Sequence, residues 1–205
     1  MAYVLGTVLI AKNSVIYIAR YEIAPFVIDK GAIAHEEPWK TLLLVHVFSG
    51  LTCLVACSLQ FSKQLRVRVP ILHRALGLIF AWVLLLTVLP SGFFLSLYAT
   101  GGLAGSIGFL FNGMLALCFT VLGLRSYRLR RITEHGAWMI RAFAMVTAAI
   151  TFRYLHVALN LVGMPETFNY VLSLWGGILF NYAVAEIVIA RLPIFRSQAR
   201  VPIPV

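Results

Sequence analysis

The sequence predicts an all-α bundle of membrane-spanning helices, and three observations carry that prediction. Of the 205 residues, 61% are hydrophobic and only 12% charged, with mean hydropathy +0.91; soluble domains carry about a quarter charged residues. Apolar runs of about 20 residues recur, the length that crosses about 30 Å of hydrocarbon at about 1.5 Å per helical residue. The charges between those runs are sorted by sign, as they are in the loops of multi-pass membrane proteins.

Taken in order, residues 3–19 form the weakest span, interrupted by Lys12, Asn13 and Ser14. Stronger spans are expected near 41–61, 75–97, 104–124, 137–161 and 169–190. The bundle therefore has six spans, or five if residues 3–19 do not cross. Pro90 is expected to kink the third span, freeing a carbonyl that a neighbour must satisfy. Glycines such as Gly50, Gly77, Gly176 and Gly177 suit close helix approach in lipid. Residues 1–205 read as one transmembrane domain, and no basic n-region or cleavage site suggests a signal peptide.

The net charge of +10 comes from 17 basic against seven acidic residues. Lys63, Arg66, Arg68 and Arg74 fall in 62–74, Arg125, Arg128, Arg130 and Arg131 in 125–136, and Arg191, Arg196 and Arg200 after the last span. Glu22, Asp29, Glu36, Glu37 and Glu166 fall in the opposite loops. Cytoplasmic loops carry the Lys/Arg excess, so 62–74 and 125–136 are expected inside and 20–40 outside, in a bacterial inner membrane. A nucleic-acid binder would instead gather its charge on a soluble face with stacking aromatics, so nucleic acid is not an expected partner. Cys53, Cys57 and Cys118 lie in apolar runs, which fits packing better than a disulfide framework.

The two basic segments share a pattern. "QLRVRVPILHR" (64–74) and "SYRLRRITEHG" (126–136) match at an offset of 62, pairing Arg66 with Arg128, Arg68 with Arg130 and His73 with His135. The offset aligns spans two and three with spans four and five, a parallel two-helix repeat or a recurrence imposed by topology alone. A true repeat would bring the two hinges together, with His73 and His135 within roughly 13 Å by Cα about one phosphate or one iron.

Intramembrane ionisable groups are the functional candidates. Arg66, Arg68, His73, Arg74, Arg128, Arg130 and His135 form a candidate site for a lipid phosphate or another anion, beside two helix N-termini. Alternatively, histidines in two layers, His73 with His135 at the inner face and His46 with His156 nearer the outer, permit one or two haem b groups. The bland alternative leaves all four to headgroups or interhelical hydrogen bonds. Span five is the most polar: Arg153, His156 and Asn160 share one face, and Arg153 is expected to turn toward the bundle or a wet cavity. Arg141 and Glu186 lie at similar depth and are expected to pair, while Asn181 offers an interhelical hydrogen bond. His35, among Glu36 and Glu37, reads as solvated. No glycine-rich phosphate loop, H-E-x-x-H or G-x-S-x-G is present, so an enzyme is not the expected class.

"HVFSGLTCLVACSLQF", "LRVRVPILHRALG" and "EHGAWMIRAFAMVTAAITFR" resemble the bacterial multi-pass membrane proteins of the domain-of-unknown-function family 2306. The resemblance covers about residues 42–155 and is carried by His46, Gly50, Gln60, Phe61, Arg66, His73, Arg74, Gly77, His135, Trp138, Met139, Arg141 and Arg153. The chain departs from that pattern at Gly136 and Ala137, and His156 lies outside it. The resemblance implies a bundle of membrane helices without assigning an activity. The expected function is a non-catalytic binding or scaffold subunit of a membrane complex, with membrane lipids, especially anionic ones, and other subunits as partners. The alternative is a quinone-linked b-type electron-transfer module; a small-solute transporter, resting on Arg153, His156 and Glu186, is a third class.

Overall fold

The structure, a computed structural model, describes residue 21 and residues 25–192. Its elements are α1 (Pro25–Lys30), a 3₁₀ turn (Gly31–His35), α2 (Trp39–Gln60), α3 (Lys63–Arg68), α4 (Pro70–Ser96), α5 (Gly102–Arg128), α6 (Ile132–Leu161) and α7 (Glu166–Arg191). Among the described residues there is no strand, and α2, α4, α5, α6 and α7 are long and apolar enough to cross a membrane. The protein is a polytopic all-α membrane protein. The expected span over 3–19, and Arg196 and Arg200, lie outside the described residues.

Helix ends differ from the apolar runs mainly at the basic hinges. α4 begins at Pro70, α5 continues to Arg128 and α6 begins at Ile132, each four or more residues into what composition alone marks as loop. Hydropathy stops at the first charge, whereas a helix entering the headgroup layer does not, because arginine is a good helix former. α4 also contains a π-helical turn, Leu84–Val88, just ahead of Pro90. The proline's missing N–H is absorbed by this widened turn, and the helix runs on to Ser96.

By packing, the chain divides into two compact units, one ending at Leu110 and the other starting at Phe111. In the first, α2 packs along α4 through buried Cys53, Leu54, Ala56 and Cys57 against Phe80, Ala81 and Leu84. The Cys53 thiol donates to the Phe80 carbonyl at 3.7 Å, and Cys53 and Cys57 are free thiols. Within the segment 20–40, expected as an acidic loop facing out, Tyr21 and residues 25–40 form a folded cap. Tyr21, Val27, Ala34, Trp39 and Leu43 form its buried core, with Phe94 and Leu95 packed against it. The Tyr21 hydroxyl donates to the Ala34 carbonyl. Lys30 Nζ donates to the Tyr98 carbonyl at 2.5 Å and to Thr100 Oγ1 at 3.1 Å. Burial pushes the Lys30 ammonium below the usual lysine range, against a smaller upward pull from Asp29.

The second unit is built on the α6–α7 pair. Gly177 allows the close approach: a Cβ there would sit 3.1 Å from the Phe152 amide nitrogen and 3.3 Å from the Ala148 carbonyl oxygen. Asn181 spans the pair, accepting from Thr151 Oγ1 at 2.7 Å and donating to the Ala144 carbonyl at 2.9 Å and to Thr147 Oγ1 at 3.1 Å. On α5, Asn112 Nδ2 donates to the Met145 carbonyl at 3.3 Å.

Two turns of this unit share one motif. After α6, the Gly163 amide donates to Asn160 O and the Met164 amide to Leu159 O, a Schellman closure with Gly163 at φ +75°. After α5, the Arg130 amide donates to Tyr127 O and the Arg131 amide to Ser126 O. The left-handed position is here filled by Arg130, at φ +59°, where glycine is favoured.

Basic hinges and intramembrane polar groups as the candidate site

The first hinge opens with Ser62, whose Oγ accepts from the Leu65 amide at 3.2 Å and caps α3. α3 carries Lys63, Arg66 and Arg68 into solvent-exposed positions, and the chain breaks at Val69 before Pro70 starts α4. His73 is half-buried, and its carbonyl accepts from Gln60 Nε2 at 2.9 Å. Arg74 is exposed. An apolar groove of about 390 Å³ opens beside this hinge, with Ser62, Gln64 and Arg68 at its rim and Leu65, Leu72 and Leu76 along its wall.

The second hinge exposes Arg125, Arg128, Arg130 and Arg131. Arg131 Nη1 lies 3.7 Å from Glu134 Oε2, a solvated i,i+3 pair that contributes little. His135 turns inward: its Nδ1 is 2.8 Å from the Gly123 carbonyl, so Nδ1 carries the proton, and Tyr127 packs on the ring. The repeat offset survives in one respect. α4 starts at Pro70 and α6 at Ile132, 62 residues apart, each behind a non-helical N-cap residue, Val69 or Arg131. It fails in another, since the first hinge inserts α3 while the second closes on Arg130. Arg66, Arg68, His73 and Arg74 belong to the first unit, and Arg128, Arg130 and His135 to the second.

The remaining histidines have structural partners. His46, on α2, donates from Nδ1 to the Val88 carbonyl at 3.0 Å, with Ser91 Oγ at 3.2 Å. That carbonyl ends the π-helical turn, and Gly92 leaves room for the ring, since a Cβ there would lie 2.9 Å from His46 Cε1. His156 Nε2 lies 3.3 Å from Glu166 Oε1 and its ring packs against Phe152 and Tyr170. Within either unit, no two of the candidate ligands can meet one iron. His135 and His156 are 21 residues apart on α6, about 31 Å along its axis. His73 sits beside Gln60 at the end of α2, about 21 Å along the axis from His46. Each candidate haem pair, His73 with His135 or His46 with His156, takes one histidine from each unit.

Arg141 and Glu186 form a two-pronged ion pair: Nε donates to Oε1 at 2.6 Å and Nη2 to Oε2 at 2.8 Å. The Arg141 guanidinium lies 4.7 Å from the Trp138 ring centre, and Tyr182 adjoins both charged groups. Phe119 stacks between Trp138 and Tyr182, at 5.9 and 6.2 Å. Sequence reasoning identified the two charges and missed their aromatic surround. The signal was there: Trp138 stands three residues before Arg141 and Tyr182 four before Glu186, so each shares its partner's helix face. Arg153, expected to face the bundle or a wet cavity, is not buried in the helix packing. It lies on the exposed surface of α6, with Nη1 donating to the Ala149 carbonyl one turn back at 2.8 Å. A long side chain can spread over its own helix, satisfying donors locally without entering the bundle. Among the described residues no three His, Cys, Asp or Glu side chains group as a metal site.

Five helices long and apolar enough to span among the described residues, interhelical amide and hydroxyl bonds, and basic residues gathered at two hinges define an integral, multi-pass membrane protein. Residues 43–189 match the family model described as "Predicted membrane protein (DUF2306)", and the chain belongs to that family. No curated protein and no solved structure matches it.

Proposed function

We propose that this protein is a non-catalytic binding and scaffold subunit of a bacterial inner-membrane complex, holding anionic headgroups at basic hinges that face the cytoplasm. One observation carries the reading: the two classes of polar group are disposed differently. Those inside the helix pairs are spent on packing, as with Arg141–Glu186, Asn181–Thr151 and His46–Val88. The hinge guanidiniums of Arg66, Arg68, Arg74, Arg128 and Arg130 are exposed. Arginine binds phosphate through paired N–H donors, and each basic residue near an anionic surface contributes about 1 kcal/mol. Arg130 adds support, since it occupies a left-handed turn position that Gly163 fills in the matching turn. An arginine kept where its backbone is strained points to a use for its side chain.

The test is thermal stability in neutral detergent with added lipid. Phosphatidylglycerol should raise the melting temperature more than phosphatidylcholine of the same chains, and replacing the five hinge arginines by glutamine should remove the difference. Equal responses to the two lipids would refute the headgroup reading.

A second reading, a b-type haem module, is favoured by His135. Its Nδ1–H is committed to the Gly123 carbonyl, the outer-shell bond that orients a ligating imidazole and leaves Nε2 with the lone pair. Protein purified from haem-supplemented cells should then show a Soret band that His135→Ala abolishes. A colourless preparation overturns it.

A further inference from the structure

The groove at the first hinge does not stop at Leu76. A second apolar groove, of about 360 Å³, shares that residue and continues between α2 and α4 past Val55 to Ile79. Both volumes fall in the range of small-ligand pockets. The joined furrow has a direction. Arg68 and Gln64 stand at the hinge end, and beyond Val69 the lining is almost wholly apolar. From Val69 to Ile79 it follows ten residues of α4, about 15 Å at 1.5 Å per residue. That is half of a hydrocarbon core of about 30 Å, the depth of one leaflet.

We infer that this furrow seats one anionic phospholipid of the leaflet on the hinge side, its phosphate on Arg68 and one acyl chain along Leu72, Leu76 and Ile79. The proposal rests on the headgroup reading above and deepens it at the first hinge. An apolar furrow on a membrane-facing surface is filled by hydrocarbon, because no water competes for it there. What distinguishes a seat from general lipid contact is a charged partner at headgroup level and a furrow of leaflet depth below it. Arg68 supplies the first and the α2–α4 packing the second. Charge selects the occupant: a phosphatidylglycerol headgroup carries the net negative charge that the guanidinium complements, whereas phosphatidylcholine offsets its phosphate with its own cation.

The experiment is native mass spectrometry of the full chain, scoring retained lipid. The probes are long-chain phosphatidylglycerol, phosphatidylcholine of the same chains, and dihexanoyl phosphatidylglycerol. Wild-type protein should retain the long-chain anionic lipid preferentially, and Arg68→Gln should lower that preference about five- to tenfold. Leu76→Trp, or Ile79→Trp at an already exposed position, fills the furrow. Either should cut retention of the long-chain lipid while leaving the short-chain one bound. If both tryptophan variants retain long-chain phosphatidylglycerol like wild type, the acyl seat is wrong while the headgroup reading stands. If Arg68→Gln changes nothing but the combined arginine replacement does, the headgroup lies elsewhere and the seat is again wrong. If wild-type protein shows no preference for the anionic lipid, both readings fall.

Discussion

Arg141 on α6 and Glu186 on α7 meet through two parallel hydrogen bonds, 2.6 and 2.8 Å, with side chains 18% and 36% exposed. Removing one partner strands the other charge beside Trp138 and Tyr182, a larger loss than removing both. Glu186→Gln should cost about 2 kcal/mol, the scale of hydrogen bonds to charged groups, and lower the melting temperature in detergent by several degrees. Adding Arg141→Gln should return part of that loss. Simple addition of the two single-variant losses would show that the pair does not couple.

Gly177 and Gly50 should respond differently to the same change. A Cβ on Gly177 meets the α6 backbone at 3.1–3.4 Å, whereas one on Gly50 meets nothing within 4 Å. Gly177→Val forces α6 and α7 apart, at a cost of about 1–3 kcal/mol typical of overpacking. Gly50→Val should stay within about 0.5 kcal/mol. Melting curves of the two variants in one detergent check the contrast, and equal losses would argue against the close α6–α7 approach.

The contrast also marks what the chain could reveal before folding. Five spanning helices were legible because a run such as residues 75–97 announces its length and polarity directly, and the Arg141–Glu186 pair because depth can be counted along a helix. Rotation cannot be counted: Arg153 was expected to face the bundle or a wet cavity, and its side chain is exposed, with Nη1 donating to the Ala149 carbonyl of its own helix. The cap before α2 escaped notice because its core, Tyr21, Val27, Ala34, Trp39 and Leu43, is scattered among charges and follows no single period. The furrow between α2 and α4 is a property of two packed surfaces, which neither strand of sequence displays alone.

Lys30 anchors that cap. Lys30→Met deletes the donors to Tyr98 and Thr100 and should loosen the cap, read as faster protease cleavage between residues 25 and 38, with little change in overall melting. The pH dependence has a definite sign. Burial lowers the Lys30 pKa in the folded protein, so the unfolded chain binds more protons between the lowered value and the ordinary lysine range. Cap protection should therefore increase as pH rises through that interval, and Lys30→Met should abolish the trend. An unchanged trend in the variant would assign it to another group.

Orientation is tested by labelling. With the native cysteines replaced by alanine, single cysteines at Glu37 and Lys63 are treated with an impermeant maleimide in intact cells. Both positions are exposed, so access depends on the side of the membrane. Position 37 should react and position 63 only after permeabilisation, given the basic bias of the hinges. The reverse pattern would put the hinges outside and remove the cytoplasmic leaflet from the lipid-seat proposal.

Arg130 allows the fold and the lipid site to be separated in one residue. A non-glycine residue in the left-handed region costs about 1–2 kcal/mol, while glycine's greater freedom in the unfolded chain returns about 0.5–1 kcal/mol of that. Arg130→Gly should thus raise stability in neutral detergent by about 0.5–1 kcal/mol, a few degrees in melting temperature at most. Gly163→Ala, at φ +75° in the equivalent turn, should shift it the opposite way by a similar amount. If Arg130 is kept for its guanidinium, the stabilised variant will respond less than wild type to phosphatidylglycerol, and Gly163→Ala will keep the full response. Stability gained without loss of lipid response would leave the second hinge outside the lipid site. Stability lost in neutral detergent would mean that the Arg130 side chain holds the turn itself.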